Sequence, residues 1–150
     1  MNIVRAEKKH IPQMADIERR SFPDPWSEAA FESSISSQAE IILAAVENDI
    51  VCGYVIGNCD GYQGYIENIA VSTLMRKKGT GRALLKAFSE HLPETAEEIV
   101  LEVRQSNPAR DFYLALGFEE IGTRKNFYSD PREDGIVMIK SLKEDKNNER

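Results

Sequence analysis

Apolar positions along the chain change period several times, and each change marks an element. Over residues 10–20, Ile11, Met14, Ala15 and Ile17 fall near one side of a 3.6-residue repeat and predict an amphipathic helix that ends before Pro23. Pro23 and Pro25 impose an extended link, after which Ser27 and Glu28 supply a cap and a first-turn carboxylate for a short second helix to about residue 36. From residue 40 the pattern turns β-rich. Residues 41–46 and 51–57, joined by the polar run Glu47-Asn48-Asp49-Ile50, predict two antiparallel strands in a hairpin, and a third strand is expected over 65–71.

Helical spacing returns at Leu84, Leu85, Phe88 and Leu92, so a helix is expected over 79–92, stopped by Pro93. Residues 99–103 read as a strand. Asn107 and Pro108 then open a helix of about ten residues, with Phe112 and Leu116 on its apolar side and Gly117 as its stop. The apolar runs 118–121 and 135–142 predict two last strands, paired across the polar stretch 122–134. The order helix, helix, three strands, helix, strand, helix, two strands predicts an α+β, sandwich-like class: a mixed, mostly antiparallel central sheet flanked by helices. The strand-helix-strand step around Gly79 should cross between parallel strands. One domain is expected over residues 1–142, followed by a flexible charged tail, 143–150.

A chain of 150 residues, 41% hydrophobic, is long enough for one core. Its net charge of -6 argues against broad attraction to nucleic acid or anionic lipid. The longest apolar run, 41–46, is too short to span a membrane, and the N-terminus lacks a signal-peptide pattern, so a cytoplasmic protein is expected. Cys52 and Cys59, with two histidines in the chain, indicate neither a disulfide framework nor a metal site. The charge is unevenly divided: residues 1–75 hold 5 Lys and Arg against 11 Asp and Glu, and residues 76–150 hold 14 of each. Arg76, Lys77, Lys78, Arg82 and Lys86 make a basic pole beside Gly79 and Gly81.

That pole lies between an expected strand and an expected helix, where backbone N–H groups at a helix start converge and anions bind. Glycines at 79 and 81 let a phosphate approach the backbone. The spacing fits neither a Walker loop nor the dinucleotide Gly-x-Gly-x-x-Gly. A glycine turn with solvated basic side chains remains the alternative at this level.

The run Asn68-Ile69-Ala70-Val71, followed by Arg76-x-x-Gly79-x-Gly81 and Ala83-Leu84-Leu85, resembles the acetyl-coenzyme A signature of the GNAT N-acetyltransferases. Leu101-Glu102-Val103-Arg104, Ser106-Asn107, Phe112-Tyr113 and Leu116-Gly117-Phe118 further resemble the RimI-type branch, bacterial enzymes that acetylate the N-terminal α-amine of a ribosomal protein. Pro25-Trp26-Ser27, Arg124-x-Asn126-Phe127-Tyr128 and Arg132-Glu133-Asp134 extend that likeness to about residues 3–140. The resemblance implies the GNAT acyl-CoA N-acyltransferase fold and acetyl-CoA as co-substrate. It places the pyrophosphate on Arg76, Lys77, Lys78, Gly79, Thr80, Gly81 and Arg82, the pantetheine arm along Ile69, Ala70 and Val71, and a further contact at Asn107. The implied acceptor is a peptide or protein N-terminus, the N-terminal alanine of ribosomal small-subunit protein eighteen, with a lysine side chain or a small amine as the alternative. Oligomeric state leaves no mark in the sequence.

Acetyl transfer needs a neutral amine, and an α-amine has a pKa of about 7.7 to 8.0, so a base must take its proton. Glu102 matches the glutamate of the family motif; partly buried on a strand, it would have a raised pKa. The competing reading is an exposed strand residue paired with Arg104. Tyr113 is the candidate acid for the departing thiolate, its phenol turned away from the apolar side marked by Phe112; core packing is the alternative. A backbone donor near Val71 would polarise the thioester. Neither cysteine has an activating neighbour in sequence, so direct transfer is expected over an acetyl-cysteine route. By resemblance the acceptor slot draws on Phe22, Trp26, Tyr128, Glu133 and Asp134, although Trp26 could equally be a helix-anchoring staple. Two departures stand out: Ser72-Thr73-Leu74 occupies a turn where the family favours proline, and Phe127-Tyr128 replaces paired tyrosines. A binding module without turnover would have lost Glu102 and Tyr113, and both are present.

Overall fold

The structure is a computed structural model that describes residues 1–73 and 79–143. Its elements are β1 (Asn2–Arg5), a 3-10 turn (Lys8–His10), α1 (Ile11–Ser21), α2 (Glu28–Ser36), β2 (Ile41–Glu47), β3 (Ile50–Cys59), β4 (Gln63–Val71), α3 (Thr80–Glu90), β5 (Glu98–Arg104), α4 (Ala109–Ala115), β6 (Glu119–Ser129) and β7 (Arg132–Ser141). The strands join one sheet in the order β1-β2-β3-β4-β5-β7-β6. β4 and β5 run parallel, as expected across the α3 step, while β1–β2, β2–β3, β5–β7 and β6–β7 are antiparallel. The mixed, helix-flanked sheet is therefore the fold observed.

Two compact units divide the chain: Met1–Asn58 with Glu67–His91, and Cys59–Ile66 with Leu92–Arg150. In the first, Ile11, Met14, Ala15 and Ile17 of α1 are buried together with Phe31, Ile42, Tyr54 and Ile56, so the helical stripe read from the sequence is the core face. Ser27 Oγ accepts from Ala30 N at 3.1 Å and caps α2. The β2–β3 turn puts Asn48 and Asp49 at φ 51° and 64°, a left-handed pair that Asn and Asp tolerate and that suits the twist of a hairpin.

In the second unit, Ile99, Val100, Leu101 and Val103 of β5 and Ile136 and Met138 of β7 are buried. Three elements differ from expectation. β1, four residues at one end of the sheet, was not expected, because a short and mostly exposed strand carries no apolar alternation. The polar stretch 122–134 is mostly strand, since β6 runs to Ser129 and β7 begins at Arg132. β6 is the other edge of the sheet and is exposed along nearly all its length, so its pairing rests on backbone hydrogen bonds without a buried side-chain face. α4 has seven residues instead of about ten, ended before Gly117 at φ 97°. Its buried residue is Tyr113, and Phe112 is 39% exposed, the reverse of the expected sides. The Tyr113 ring packs edge-on with Phe112 and Phe118, centroids 5.4 and 5.6 Å away, which holds it inward.

Arg76, Lys77 and Lys78, and the tail from residue 144, lie outside the described residues. Among the described residues no helix is long and apolar enough to cross a membrane.

Candidate active site

Glu102 sits on β5 one residue beyond the parallel register with β4, which runs from Gln63↔Glu98 to Ile66↔Leu101. On its other side β5 is paired along its whole length with β7, with Glu102 opposite Val137, so the backbone carrying the carboxylate is held firmly. The side chain is only 5% exposed. Oε2 accepts from the Tyr65 hydroxyl, and Oε1 lies 3.4 Å from Arg124 Nε, whose own side chain is 57% exposed. The partner considered for it in the sequence, Arg104, is bonded to Glu133 instead. Tyr65 escaped sequence reasoning altogether. It lies 37 residues from Glu102 and belongs to no motif, and only the β4–β5 register brings the two together.

Two further phenols belong to this electrostatic neighbourhood. Burial pushes the Tyr65 hydroxyl above the usual tyrosine range, followed by its hydrogen bond to Glu102; Arg124 opposes the shift. Tyr128 is pushed up to about 12, first by burial and then by the Glu102 charge, with Arg104 opposing. Burial raises Tyr113 as well, with Tyr128 adding to it. All three hydroxyls therefore hold their protons at neutral pH and can serve as donors.

Arg124 and Tyr128 flank an irregularity in β6. Arg124 pairs with Gly135 and Tyr128 with Glu133, so three residues of β6 face one of β7. Asn126 takes φ 53° there, and its N–H donates to Asp134 Oδ1 at 2.8 Å. Gly135 has no Cβ, and one placed there would stand 3.2 Å from the Phe127 ring, so glycine makes room for the bulge. Glu133 accepts from Arg104 at 3.2 Å and from Ser106 N at 2.6 Å. Both acidic side chains expected at the acceptor slot are thus committed to partners in their own unit.

In the first unit, Ile69, Ala70 and Val71 end β4, with Ala70 buried and its neighbours partly so. Gly53 of β3 allows a close approach here: a Cβ at that position would lie 2.8 Å from the Ala70 carbonyl oxygen. Gly79 precedes α3 at φ 76°, a conformation that favours glycine. Thr80 and Gly81 are buried and Arg82 is exposed. Among the described residues no side chain caps α3 and no acid stands in its first turn, so its leading N–H groups suit an anionic group. Phe22 and Trp26 pack against the core, with Trp26 5.4 Å from Phe31 and its N–H donating to Glu18 Oε2 at 3.0 Å. In the second unit, Asn107 Oδ1 accepts from Ala109 N at 2.9 Å at the start of α4, beside a surface depression of about 510 Å³ that Arg110, Asp111 and Leu114 also line. Among the described residues no group of three or more His, Cys, Asp or Glu could hold a metal, and both cysteines are free.

The mixed, helix-flanked sheet matches a known fold. The acetyltransferase (GNAT) domain family matches residues 8–140, and the chain belongs to it: it is an acetyl-CoA-dependent N-acetyltransferase. The chain is 34% identical over 143 residues to the [ribosomal protein bS18]-alanine N-acetyltransferase of Escherichia coli strain K12, covering 92% of this chain and 96% of that one. It is 31% identical over 156 residues to an N-alpha-acetyltransferase of Sulfurisphaera tokodaii, covering 93% and 92%. The crystal structure of the ribosomal-protein-S18-alanine N-acetyltransferase from Escherichia coli superposes with a TM-score of 0.81 at 32% identity, over 94% of this chain and 93% of that one.

Proposed function

We propose that the protein transfers the acetyl group of acetyl-CoA to the N-terminal α-amine of a protein, with the N-terminal alanine of ribosomal small-subunit protein eighteen as its acceptor, in the cytoplasm where that acceptor is made. One observation carries the acceptor class: 34% identity along nearly the whole length of an enzyme named for that alanine. A single acetyltransferase domain over residues 1–142 carries the reaction.

Acetyl-CoA supplies the activated acetyl thioester. The α3 start, with Gly79, Thr80, Gly81 and Arg82 and the preceding Arg76, Lys77 and Lys78, holds its pyrophosphate. The strand ending at Ile69, Ala70 and Val71 would receive the pantetheine arm, and Asn107 would add a contact. Glu102 takes the proton of the incoming ammonium, directly or through a water, since a buried carboxylate with one fixed donor keeps lone pairs free for it. Tyr113 is the proposed acid for the thiolate, a step that requires the thiolate to reach a hydroxyl whose ring is held inward between Phe112 and Phe118. Phe22, Trp26, Tyr128, Glu133 and Asp134 border the acceptor's first residues.

The test is thiol release from acetyl-CoA with a peptide beginning Ala-Arg, free or blocked at its N-terminus. Acetylation of the free peptide alone is expected. Acetylation that survives the block assigns the activity to lysine side chains and overturns the α-amine reading.

A further inference from the structure

No step above uses the guanidinium of Arg104, yet several groups of the second unit converge on it. Nη1 donates to the Pro131 carbonyl at 2.8 Å and to Glu133 Oε1 at 3.2 Å, and Nη2 donates to the Asp130 carbonyl at 3.0 Å. Its Cζ lies 4.5 Å from the centre of the Tyr128 ring. Glu133 passes the link on through Oε2 to Ser106 N, next to Asn107, and Gln105 N donates to the Asp134 carbonyl at 3.0 Å. One side chain, two residues beyond Glu102 on the same strand, thus grips the β6–β7 turn by two carbonyls, covers Tyr128 and ties in the loop after β5.

We propose that Arg104 is a positioning residue that fixes the acceptor-binding hairpin, residues 128–134, against the end of β5, so that Tyr128 meets the acceptor's N-terminus in one place. The proposal rests on the reading of Tyr128 and its neighbours as the acceptor side. Two carbonyls and a carboxylate spread around one flat group match the fixed fork of a guanidinium, and a lysine ammonium cannot cover the Tyr128 ring and reach all three. Arg104 also neutralises Glu133. The pair therefore contributes geometry more than attraction for a cationic peptide.

The experiment compares wild type, Arg104→Lys and Arg104→Ala as full chains, by steady-state kinetics with acetyl-CoA and the Ala-Arg peptide and by amide hydrogen exchange. Arg104→Lys keeps the charge and is expected to raise the peptide KM about tenfold while kcat and the acetyl-CoA KM stay within about twofold. Exchange over residues 128–134 should quicken in both variants. A lysine variant that matches wild type in peptide KM and in hairpin exchange overturns the proposal. So does a parallel loss of kcat, both KM values and global stability, which would make Arg104 merely structural. If wild type acetylates no such peptide, the functional reading fails, and hairpin exchange still decides whether Arg104 positions that segment.

Discussion

Each unit contains a buried glutamate that accepts a hydrogen bond from a tyrosine, and the two are finished differently. In the first, Glu18 is 1% exposed and accepts from the Tyr54 hydroxyl, from Asn68 Nδ2 at 2.8 Å and from Trp26 N at 3.0 Å. Every donor comes from the fold itself: α1, β3, β4 and the link before α2 are tied to one carboxylate. In the second, Glu102 accepts from Tyr65 and also lies 3.4 Å from Arg124, a largely exposed cation. The closed carboxylate is an anchor. The other keeps capacity for a transient partner, as the proton transfer proposed for it would require.

The comparison breaks most readily at Glu102. Glu102→Gln keeps the shape and the acceptor for Tyr65 but cannot take a proton, so kcat/KM should fall by about 100- to 10,000-fold with little change in the urea midpoint. Steady-state kinetics and denaturation on one preparation check both halves, and near-normal turnover would remove Glu102 as base.

Glu18→Ala should give the opposite pattern. It leaves three donors unmatched, two buried and one partly buried, each costing about 1–3 kcal/mol, so a loss of at least about 3 kcal/mol in unfolding free energy is expected. Urea denaturation measures it. A stable Glu18→Ala protein with abolished turnover would make the two glutamates alike in role.

A third carboxylate sharpens the contrast by its pH dependence. Burial, and then the neighbouring Glu40, push Glu67 up to about 7, although Asn58 Nδ2 donates to it at 2.6 Å. A raised folded pKa means that the folded chain holds a proton the unfolded chain has released, so Glu67 lowers stability as pH rises from about 4.5 to about 7 and adds no further slope above that. Glu67→Gln should flatten that decline. Because the side chain is largely exposed, the gain in Tm at pH 8 should be about 2 °C or less, read from thermal melts at pH 5 and pH 8. An unchanged slope would place the pH dependence elsewhere.

How much was legible follows from the kind of interaction. The α1 and α3 stripes and the strands read over 41–46 and 99–103 were readable because burial imposes a period or a run on neighbouring residues, and the Ser27 cap because it is local. β6 was not, since an exposed edge strand is held by backbone groups that every residue carries. The two sides of α4 were misread because two helical turns with adjacent aromatics leave the choice of inward ring to a neighbour, here Phe118.

By itself the sequence determined the class of fold, the glycine-led helix start, and Glu102 as the carboxylate of a family motif. Only the tertiary structure decided that Tyr65 binds Glu102, that Arg104 and not open solvent receives Glu133, and that Glu18 is sealed by three donors. Periodicity and local motifs record interactions between residues near in the chain. A hydrogen bond between residues 37 positions apart depends on strand register, which is set by the packing of the whole sheet.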